Sequence, residues 1–204
     1  MSEAGSQLDD LVRHRLLLAG IGGQGVVFAT RLLAGTAAAM GLPVLASETH
    51  GMSQRGGSVL AHLKIGGGQA PLIRRGTADV LLAFDRDEAL RNLPFLRSGG
   101  SAFINAADEL SSEVLRALQS RAIQVHCVPA TQLAMGLGSS AVANVVLVGY
   151  AAAYPSFPLP LANIREALSQ TGQALNVRAL EVGVEAAPGP TPEARRAEER
   201  TAGA

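Results

Sequence analysis

The chain has 204 residues, of which 48% are hydrophobic, and this is enough for one buried core in one domain. Seventeen basic and seventeen acidic residues cancel, so the charge balance argues against nucleic acid or an anionic membrane surface as a partner. No apolar run reaches the roughly 20 residues of a membrane-spanning helix, and the N-terminus lacks the pattern of a signal peptide, which predicts a cytoplasmic protein.

The first predicted elements are a strand, a glycine turn and a helix. An apolar strand over 14–19 runs into Gly20-Ile21-Gly22-Gly23-Gln24-Gly25, and a helix follows from about residue 23 to residue 40. This order matches the G-x-G-x-x-G turn of dinucleotide-binding domains, in which N–H groups at the helix N-terminus bind a phosphate. The same glycines would also let the helix pack closely on the sheet or on another subunit. A ligand role and a packing role therefore both stay open.

A polar loop over 48–57 is the second candidate functional segment, and it follows a short strand over 42–46. The loop holds Ser53, Gln54 and Arg55, followed by two glycines. Glycine beside a guanidinium lets the backbone approach a ligand closely, and a guanidinium fits a carboxylate, a phosphate or an acidic protein surface. We interpret the loop as a ligand-binding or subunit-contact segment, with a solvated turn as the alternative.

Besides Arg55, one carboxylate and two histidines in or near this loop are candidate functional residues. Glu48 falls 23 residues after Gly25, about where a dinucleotide enzyme places the carboxylate that binds a ribose. His50 lies within the loop and can titrate near neutrality. The strand over 58–65 alternates apolar and polar residues, which predicts a polar, solvent-facing side carrying His62 and suggests that part of the sheet is antiparallel or exposed on one side.

The rest of the chain alternates strands and helices and then ends in helices. The predicted elements are a strand over 80–84, a helix from Asp85 to about Pro94, a strand over 102–105, a helix over 108–119, a strand over 123–128, and helical patterns over 130–153 with a break near 136–138, over 160–170 and over 173–186. This order predicts an α/β, three-layer, Rossmann-like domain over 14–187, with a mostly parallel sheet and C-terminal helices. A flexible lead over 1–13 and a Pro- and charge-rich disordered tail over 188–204 flank it.

Few other side chains point to chemistry. Cys127 is the single cysteine and lies in a strand pattern, where a small buried side chain is the expected role and a reactive thiol the alternative. Asn144 lies in an apolar helix and must find partners for its amide. His14 and His126 fall within strands, and no His, Cys, Asp and Glu spacing indicates a metal site. We assign no catalytic residue.

Taken together, the glycine turn, the loop over 48–57, the run over 78–85 and the helix around Asn144 resemble one family. This is the gamma subunit of the 2-oxoacid:acceptor oxidoreductases, the pyruvate, ketoisovalerate and indolepyruvate ferredoxin oxidoreductases. The resemblance covers roughly residues 14–185 and is strongest to the small subunit of the indolepyruvate branch. It implies the Rossmann-like fold and a role in oxidative decarboxylation of a 2-oxoacid, of the aryl pyruvate type, to an acyl-CoA.

The resemblance also implies how cofactors are divided between subunits. It places thiamine diphosphate, Mg²⁺ and [4Fe–4S] clusters on a larger partner subunit, with ferredoxin as an indirect partner and coenzyme A contact at the interface left open. A lone cysteine agrees, because such a cluster needs four thiolates. We expect a hetero-oligomer whose isolated small chain is inactive. The candidate ligand or contact residues are Gly22, Gly23, Gln24, Gly25, Ser53, Gln54 and Arg55. The alternatives are a free-standing NAD(P)-binding oxidoreductase and a ligand-free scaffold.

Overall fold

The computed structural model describes residues 14–50 and 57–188. The lead predicted over 1–13 and the predicted tail beyond Pro188 lie outside these residues. In the part of the chain that is described, no helix has both the length and the apolar character needed to cross a membrane.

Six strands and seven α-helices follow one another in the predicted order. They are β1 (His14–Ile21), α1 (Val26–Ala39), β2 (Val44–His50), β3 (Ser58–Ile65), β4 (Ala78–Ala83), α2 (Arg86–Asn92), β5 (Leu96–Asn105), α3 (Ser112–Gln119), β6 (Gln124–Val128), α4 (Ala130–Gly136), α5 (Ala143–Ala152), α6 (Leu161–Ser169) and α7 (Ala174–Ala186). Short 3₁₀ turns at Leu93–Phe95 and Ser140–Val142 complete the described elements.

The strands form one mixed sheet in the order β2-β3-β1-β4-β5-β6. β1, β4, β5 and β6 pair in parallel, whereas β3 is antiparallel to both of its neighbours. The expectation of a mostly parallel sheet with an antiparallel part is therefore confirmed.

Each face of the sheet carries its own hydrophobic cluster, which makes the domain three-layered. One cluster joins alternate residues such as Leu16, Leu82 and Phe103 to α1 and to the C-terminal helices. The other joins Leu17 and Ile104 to α2 and α3. Central strands covered on both faces read as continuous apolar runs, and this is why β1 and β4 were recognisable from the sequence.

Two strands extend well beyond one of their predicted ends. β2 reaches His50, so Glu48 and Thr49 belong to a strand and not to the predicted loop. The reason is pairing, because β3 provides hydrogen-bonding partners as far as His50 opposite Val59. β5 begins at Leu96, because Leu96 pairs with Ala78 before the register shifts.

Two helix starts are explained by side-chain caps. Asp85 caps α2 by accepting hydrogen bonds from the N–H groups of Asp87 and Glu88 at 2.9 and 3.1 Å. The helix predicted from Asp108 begins only at Ser112, because the Ser111 hydroxyl accepts from the Val114 N–H and sets the start there. The predicted break in 130–153 is confirmed as the end of α4 and the start of α5.

The prediction of a solvent-facing His62 is wrong. Its side chain is 4% exposed and the neighbouring polar residue Lys64 is 5% exposed. The segment that follows β3 covers this face, and the Ile73 N–H donates to His62 Nδ1 at 3.1 Å. Burial and, second, the positive charge of Lys64 hold the His62 pKa below its ordinary value of 6.5.

We expect the free energy of unfolding to fall as the pH falls below about 6.5. The unfolded chain binds a proton at His62 in this range, while the folded chain resists it, so protonation favours unfolding. His62→Gln keeps an acceptor for the Ile73 N–H and should reduce this slope. Urea unfolding of both proteins at pH 7.5 and 5.5 measures the difference. An equal loss of stability in both proteins would contradict the assignment to His62.

Candidate functional site

The glycine turn after β1 is closed by its own residues. Gly23 and Gly25 have φ angles of +99° and +79°, which favour glycine. The Gln24 N–H donates to the Ile21 carbonyl at 3.1 Å, and the Ile21 N–H donates back to Gln24 Oε1 at 2.8 Å. The side-chain oxygen of Gln24 is thereby committed to the turn.

The side chain of Asn144, in α5, holds the glycine turn in place. This buried side chain donates from Nδ2 to the Gly25 carbonyl at 3.2 Å and accepts at Oδ1 from the Val145 N–H at 2.9 Å. A Cβ on Gly25 would lie 2.1 Å from Asn144 Nδ2. The glycine is therefore required by its contact with Asn144, and the expectation that Asn144 finds partners for its amide is confirmed.

Close packing also explains Gly20, whereas Gly23 is open. A Cβ on Gly20 would lie 2.9 Å from both Gln24 Oε1 and Val26 Cγ2, and 3.2 Å from Phe84 Cβ. A Cβ on Gly23 would meet nothing within 4 Å. The packing role inferred for the glycines thus holds for Gly20 and Gly25, while Gly22 and Gly23 are exposed.

The turn is also attached to the start of β3. The Gly22 N–H donates to the Gly57 carbonyl at 2.9 Å. The next residue, Ser58, donates from its hydroxyl to Glu88 Oε2 at 2.7 Å. Glu88 is 1% exposed and also pairs with the guanidinium of Arg91. The turn, the start of β3 and the first turn of α2 are thereby linked.

These groups meet at the switch point of the sheet, between the carboxyl ends of β1 and β4. The chain leaves β1 toward β2 on one side, and β4, β5 and β6 follow on the other. Ligands of open α/β sheets bind in this kind of crevice. A cleft of about 340 Å³ lies there, which we call the switch-point cleft.

Neutral polar groups line the switch-point cleft. They are the side chains of Gln24, Asn105, Thr131, Ser140 and Asn144, beside Gly23, Phe84 and alanines. Asn105 Nδ2 donates to the Phe84 carbonyl at 3.1 Å and to the Thr131 hydroxyl at 2.8 Å, and Asn105 Oδ1 accepts from the Thr131 N–H at 3.1 Å. Such a lining can form hydrogen bonds but offers no acid or base.

Sequence reasoning missed Asn105, Thr131 and Ser140. Asn105 could have been found, because it is the last residue of a parallel strand and therefore lies at the edge where ligands bind. Thr131 and Ser140 carried no signal of their own, since their place in the cleft depends on how α4 and the following 3₁₀ turn pack against the sheet.

Glu48 does not lie where a dinucleotide enzyme needs its carboxylate. It is in β2, and β3 separates β2 from β1. Adjacent strands are about 4.8 Å apart, so Glu48 is two strand spacings from the strand that precedes the glycine turn. The Rossmann arrangement uses the adjacent strand, and this geometry disfavours the NAD(P)-binding alternative.

The other candidate residues fall into two groups. Ser53, Gln54 and Arg55 lie at 51–56, outside the described residues, between the ends of β2 and β3. Cys127 is half-buried in β6, and burial, followed by the charge of Glu109, raises the pKa of its thiol, which disfavours the reactive thiolate. Among residues 14–50 and 57–188, no group of three or more His, Cys, Asp or Glu side chains could hold a metal ion.

Comparison with known proteins identifies close relatives. A family model described as pyruvate ferredoxin/flavodoxin oxidoreductase matches residues 15–186. The indolepyruvate oxidoreductase subunit IorB of Archaeoglobus fulgidus is 36% identical over 193 residues, covering 84% of this chain and 94% of that protein. IorB of Thermococcus kodakarensis is 34% identical over 196 residues, covering 85% and 96%.

A solved structure agrees with the fold. The pyruvate oxidoreductase subunit PORC of Thermotoga maritima superposes with a TM-score of 0.68 at 22% identity, covering 85% of this chain and 96% of that chain. Together with the family match, this likeness confirms the resemblance inferred from the glycine turn and the neighbouring motifs.

Proposed function

Because this chain belongs to the pyruvate ferredoxin/flavodoxin oxidoreductase family, as a small subunit of a 2-oxoacid:ferredoxin oxidoreductase, we propose that it completes a complex whose larger subunit carries the redox cofactors. The observation that supports this division is the switch-point cleft. Its described lining consists of neutral hydrogen-bonding groups without an acid or a base, so the cleft is suited to recognition and not to the chemistry itself.

The cofactors of the reaction fit a partner better than this chain. A [4Fe–4S] cluster needs four thiolates, and the whole sequence has one cysteine. Among the described residues, no group of three or more His, Cys, Asp or Glu side chains could hold a metal ion such as the Mg²⁺ that accompanies thiamine diphosphate. We therefore assign thiamine diphosphate, Mg²⁺ and the clusters to the larger subunit, from which electrons pass to ferredoxin.

The substrate we propose is an aryl pyruvate of the indolepyruvate type. The support is that the two archaeal relatives at 34% and 36% identity are both indolepyruvate oxidoreductase subunits. Selection of the 2-oxoacid itself belongs to the subunit that holds thiamine diphosphate. The carbon–carbon bond to the carboxylate is broken there, and the carboxylate leaves as carbon dioxide.

Coenzyme A is the proposed acyl acceptor, and the switch-point cleft does not fit its phosphates. None of the described residues that line the cleft is cationic, and burying a phosphate without a counter-charge is costly. If coenzyme A contacts this chain, the guanidinium of Arg55 is the group suited to its phosphates, with Ser53 and Gln54 as neutral neighbours. Gly22 and Gly23 are exposed and have no Cβ, so a ligand could approach the backbone of the turn closely, although the Gly22 N–H already donates to the Gly57 carbonyl.

Reconstitution with the larger subunit tests the proposal. The chain alone should not reduce a viologen dye with any 2-oxoacid, and addition of the thiamine-bearing subunit from the same organism should give oxoacid- and coenzyme A-dependent reduction. Arg55→Ala should leave the melting temperature unchanged and lower kcat/KM by about tenfold or more, the loss expected when one member of a recognition pair is removed.

Arg74→Ala is the matched control. Arg74 is exposed and lies in the segment that leads into the amino end of β4, whereas the glycine turn lies at the carboxyl ends of the parallel strands. It should behave as wild type. Activity of the isolated chain would refute the proposed division of labour. Equal activity of Arg55→Ala and Arg74→Ala would show that the loop is an ordinary surface turn.

A further inference from the structure

An uncharged stretch of sequence surrounds the site. Residues 122–164 contain no Asp, Glu, Lys or Arg, although these residues make up 17% of the chain. Burial explains this for α5, which is buried along most of its length. It does not explain the exposed residues of α4 and the turn after it, which include Thr131, Gln132, Met135, Ser140 and Ala141.

The lack of charged side chains extends over three adjoining clefts in the part of the chain that the structure describes. The switch-point cleft shares Ala141 and Asn144 with a cleft of about 470 Å³ at the starts of α1 and α7. It shares Asn105 and Thr131 with a third cleft of about 210 Å³ at the end of β5. Among the residues that the structure describes, no charged side chain lines any of the three clefts. We call this continuous surface the uncharged face.

Charged residues border the uncharged face, and they also line a separate cavity between α1 and α6. Arg86 donates to the Glu109 carbonyl at 3.2 Å beside the end of β4, so a polar rim begins there. A cavity of about 520 Å³ between α1 and α6, by contrast, is lined by both Arg31 and Glu166. Depletion of charge at the centre with a polar rim is the pattern of a protein interface, and not of an average surface.

We propose that the uncharged face is the surface that binds the larger subunit, and that it receives an uncharged, protruding segment of that subunit. This rests on the proposed function, because it names the surface through which the small subunit completes the complex. Met135 is 63% exposed and lies one helical turn after Thr131 on α4, so an apolar side chain projects beside the clefts.

The lining determines the chemistry of the partner segment. A charged side chain entering these clefts would lose its hydration and find no opposite charge, which is unfavourable. Amides and hydroxyls of Gln24, Asn105, Thr131 and Ser140 can instead pair with backbone or neutral side-chain groups of the partner. A second copy of the chain is the competing occupant, and the experiment separates the two.

New charges on the uncharged face test the proposal. Met135→Glu and Ala141→Glu alter exposed positions, so the free chain should keep its melting temperature. Leu72→Glu is the matched control. Leu72 is 54% exposed and lies in the segment that leads into the amino end of β4, whereas the clefts lie at the carboxyl ends of the parallel strands. Affinity for the purified larger subunit is measured by calorimetry, the oligomeric state by ultracentrifugation, and turnover by dye reduction.

We expect both variants to bind the larger subunit at least about tenfold more weakly, and Leu72→Glu to bind as wild type. Wild-type affinity of either variant, or an equal loss for Leu72→Glu, would overturn the proposal. So would a wild-type homodimer that the two variants dissociate. If the wild-type chain itself neither binds the larger subunit nor restores turnover, the proposed function fails as well. If wild-type turnover is normal and the two variants are unaffected, only the proposed docking surface is refuted.

Discussion

Gly183→Ala is expected to lower the free energy of unfolding by roughly 3 kcal/mol, at the upper end of what overpacking costs. Gly183 lies in α7, and a Cβ there would stand 2.0 Å from the Val146 carbonyl oxygen and 2.8 Å from the Tyr150 nitrogen of α5. These are backbone atoms, so no side chain can turn aside to make room. Gly149 forms the reciprocal contact, with a Cβ position 2.1 Å from the Leu180 carbonyl oxygen.

The sign of the change in the free energy of unfolding distinguishes an effect of packing from an effect of helix propensity. Alanine is about 1 kcal/mol better than glycine inside a helix, so propensity alone predicts stabilisation. Gly35→Ala is the matched control, because Gly35 lies within α1 with nothing within 4 Å of its Cβ position, and this variant should gain stability. Urea unfolding of the three proteins provides the comparison. A stabilised Gly183→Ala would mean that α5 and α7 are not in backbone contact.

Gly25→Ala should cost roughly 3 kcal/mol and also impair the reconstituted enzyme. A non-glycine residue in the left-handed region costs about 1–2 kcal/mol. The new methyl group would also displace Asn144, which donates to the Gly25 carbonyl of the turn and accepts from the Val145 N–H, and leaving buried partners unsatisfied costs about 1–3 kcal/mol. Turnover should fall because the glycine turn forms one wall of the switch-point cleft.

A double-mutant cycle tests this cause. Asn144→Ala removes the atoms that a Cβ on Gly25 would meet, so the double variant should lose less stability than the sum of the single variants, by roughly 1–2 kcal/mol. Strict additivity would show that Gly25 is required only for its φ angle.

The fold was predictable where a local pattern decides the outcome. β1 and β4 are continuous apolar runs because helices cover both of their faces. Alternation located β3 correctly and indicated that part of the sheet is antiparallel or exposed on one side, whereas its pairing with β1 is known only from the structure. The same alternation misled at His62, because an alternating strand is exposed on one face only if nothing packs there, and here the segment carrying Ile73 does.

The site was predictable only in part, and for a physical reason. The glycine turn has its own signature, so Gly22, Gly23, Gln24 and Gly25 could be named from the sequence. The reason for Gly25 lies 119 positions away, at Asn144, and no local pattern contains it. The cleft around Asn105, Thr131 and Ser140 is likewise assembled by tertiary packing, since these residues come from different elements.

Because β3 runs antiparallel to β2, the connection over 51–56, which carries the candidate contact residues, can be exchanged without rebuilding the sheet. In a fully parallel sheet, a crossover helix would have to separate β2 from the next strand, and a change of loop would disturb packing. Here His50 and Gly57 are the two ends of a hairpin connection at the ligand-binding edge. Changing the length of such a connection costs little, since each doubling adds only about 0.6 kcal/mol. Evolution, or an engineer, could therefore replace 51–56 with a relative's loop and alter recognition while every strand keeps its register.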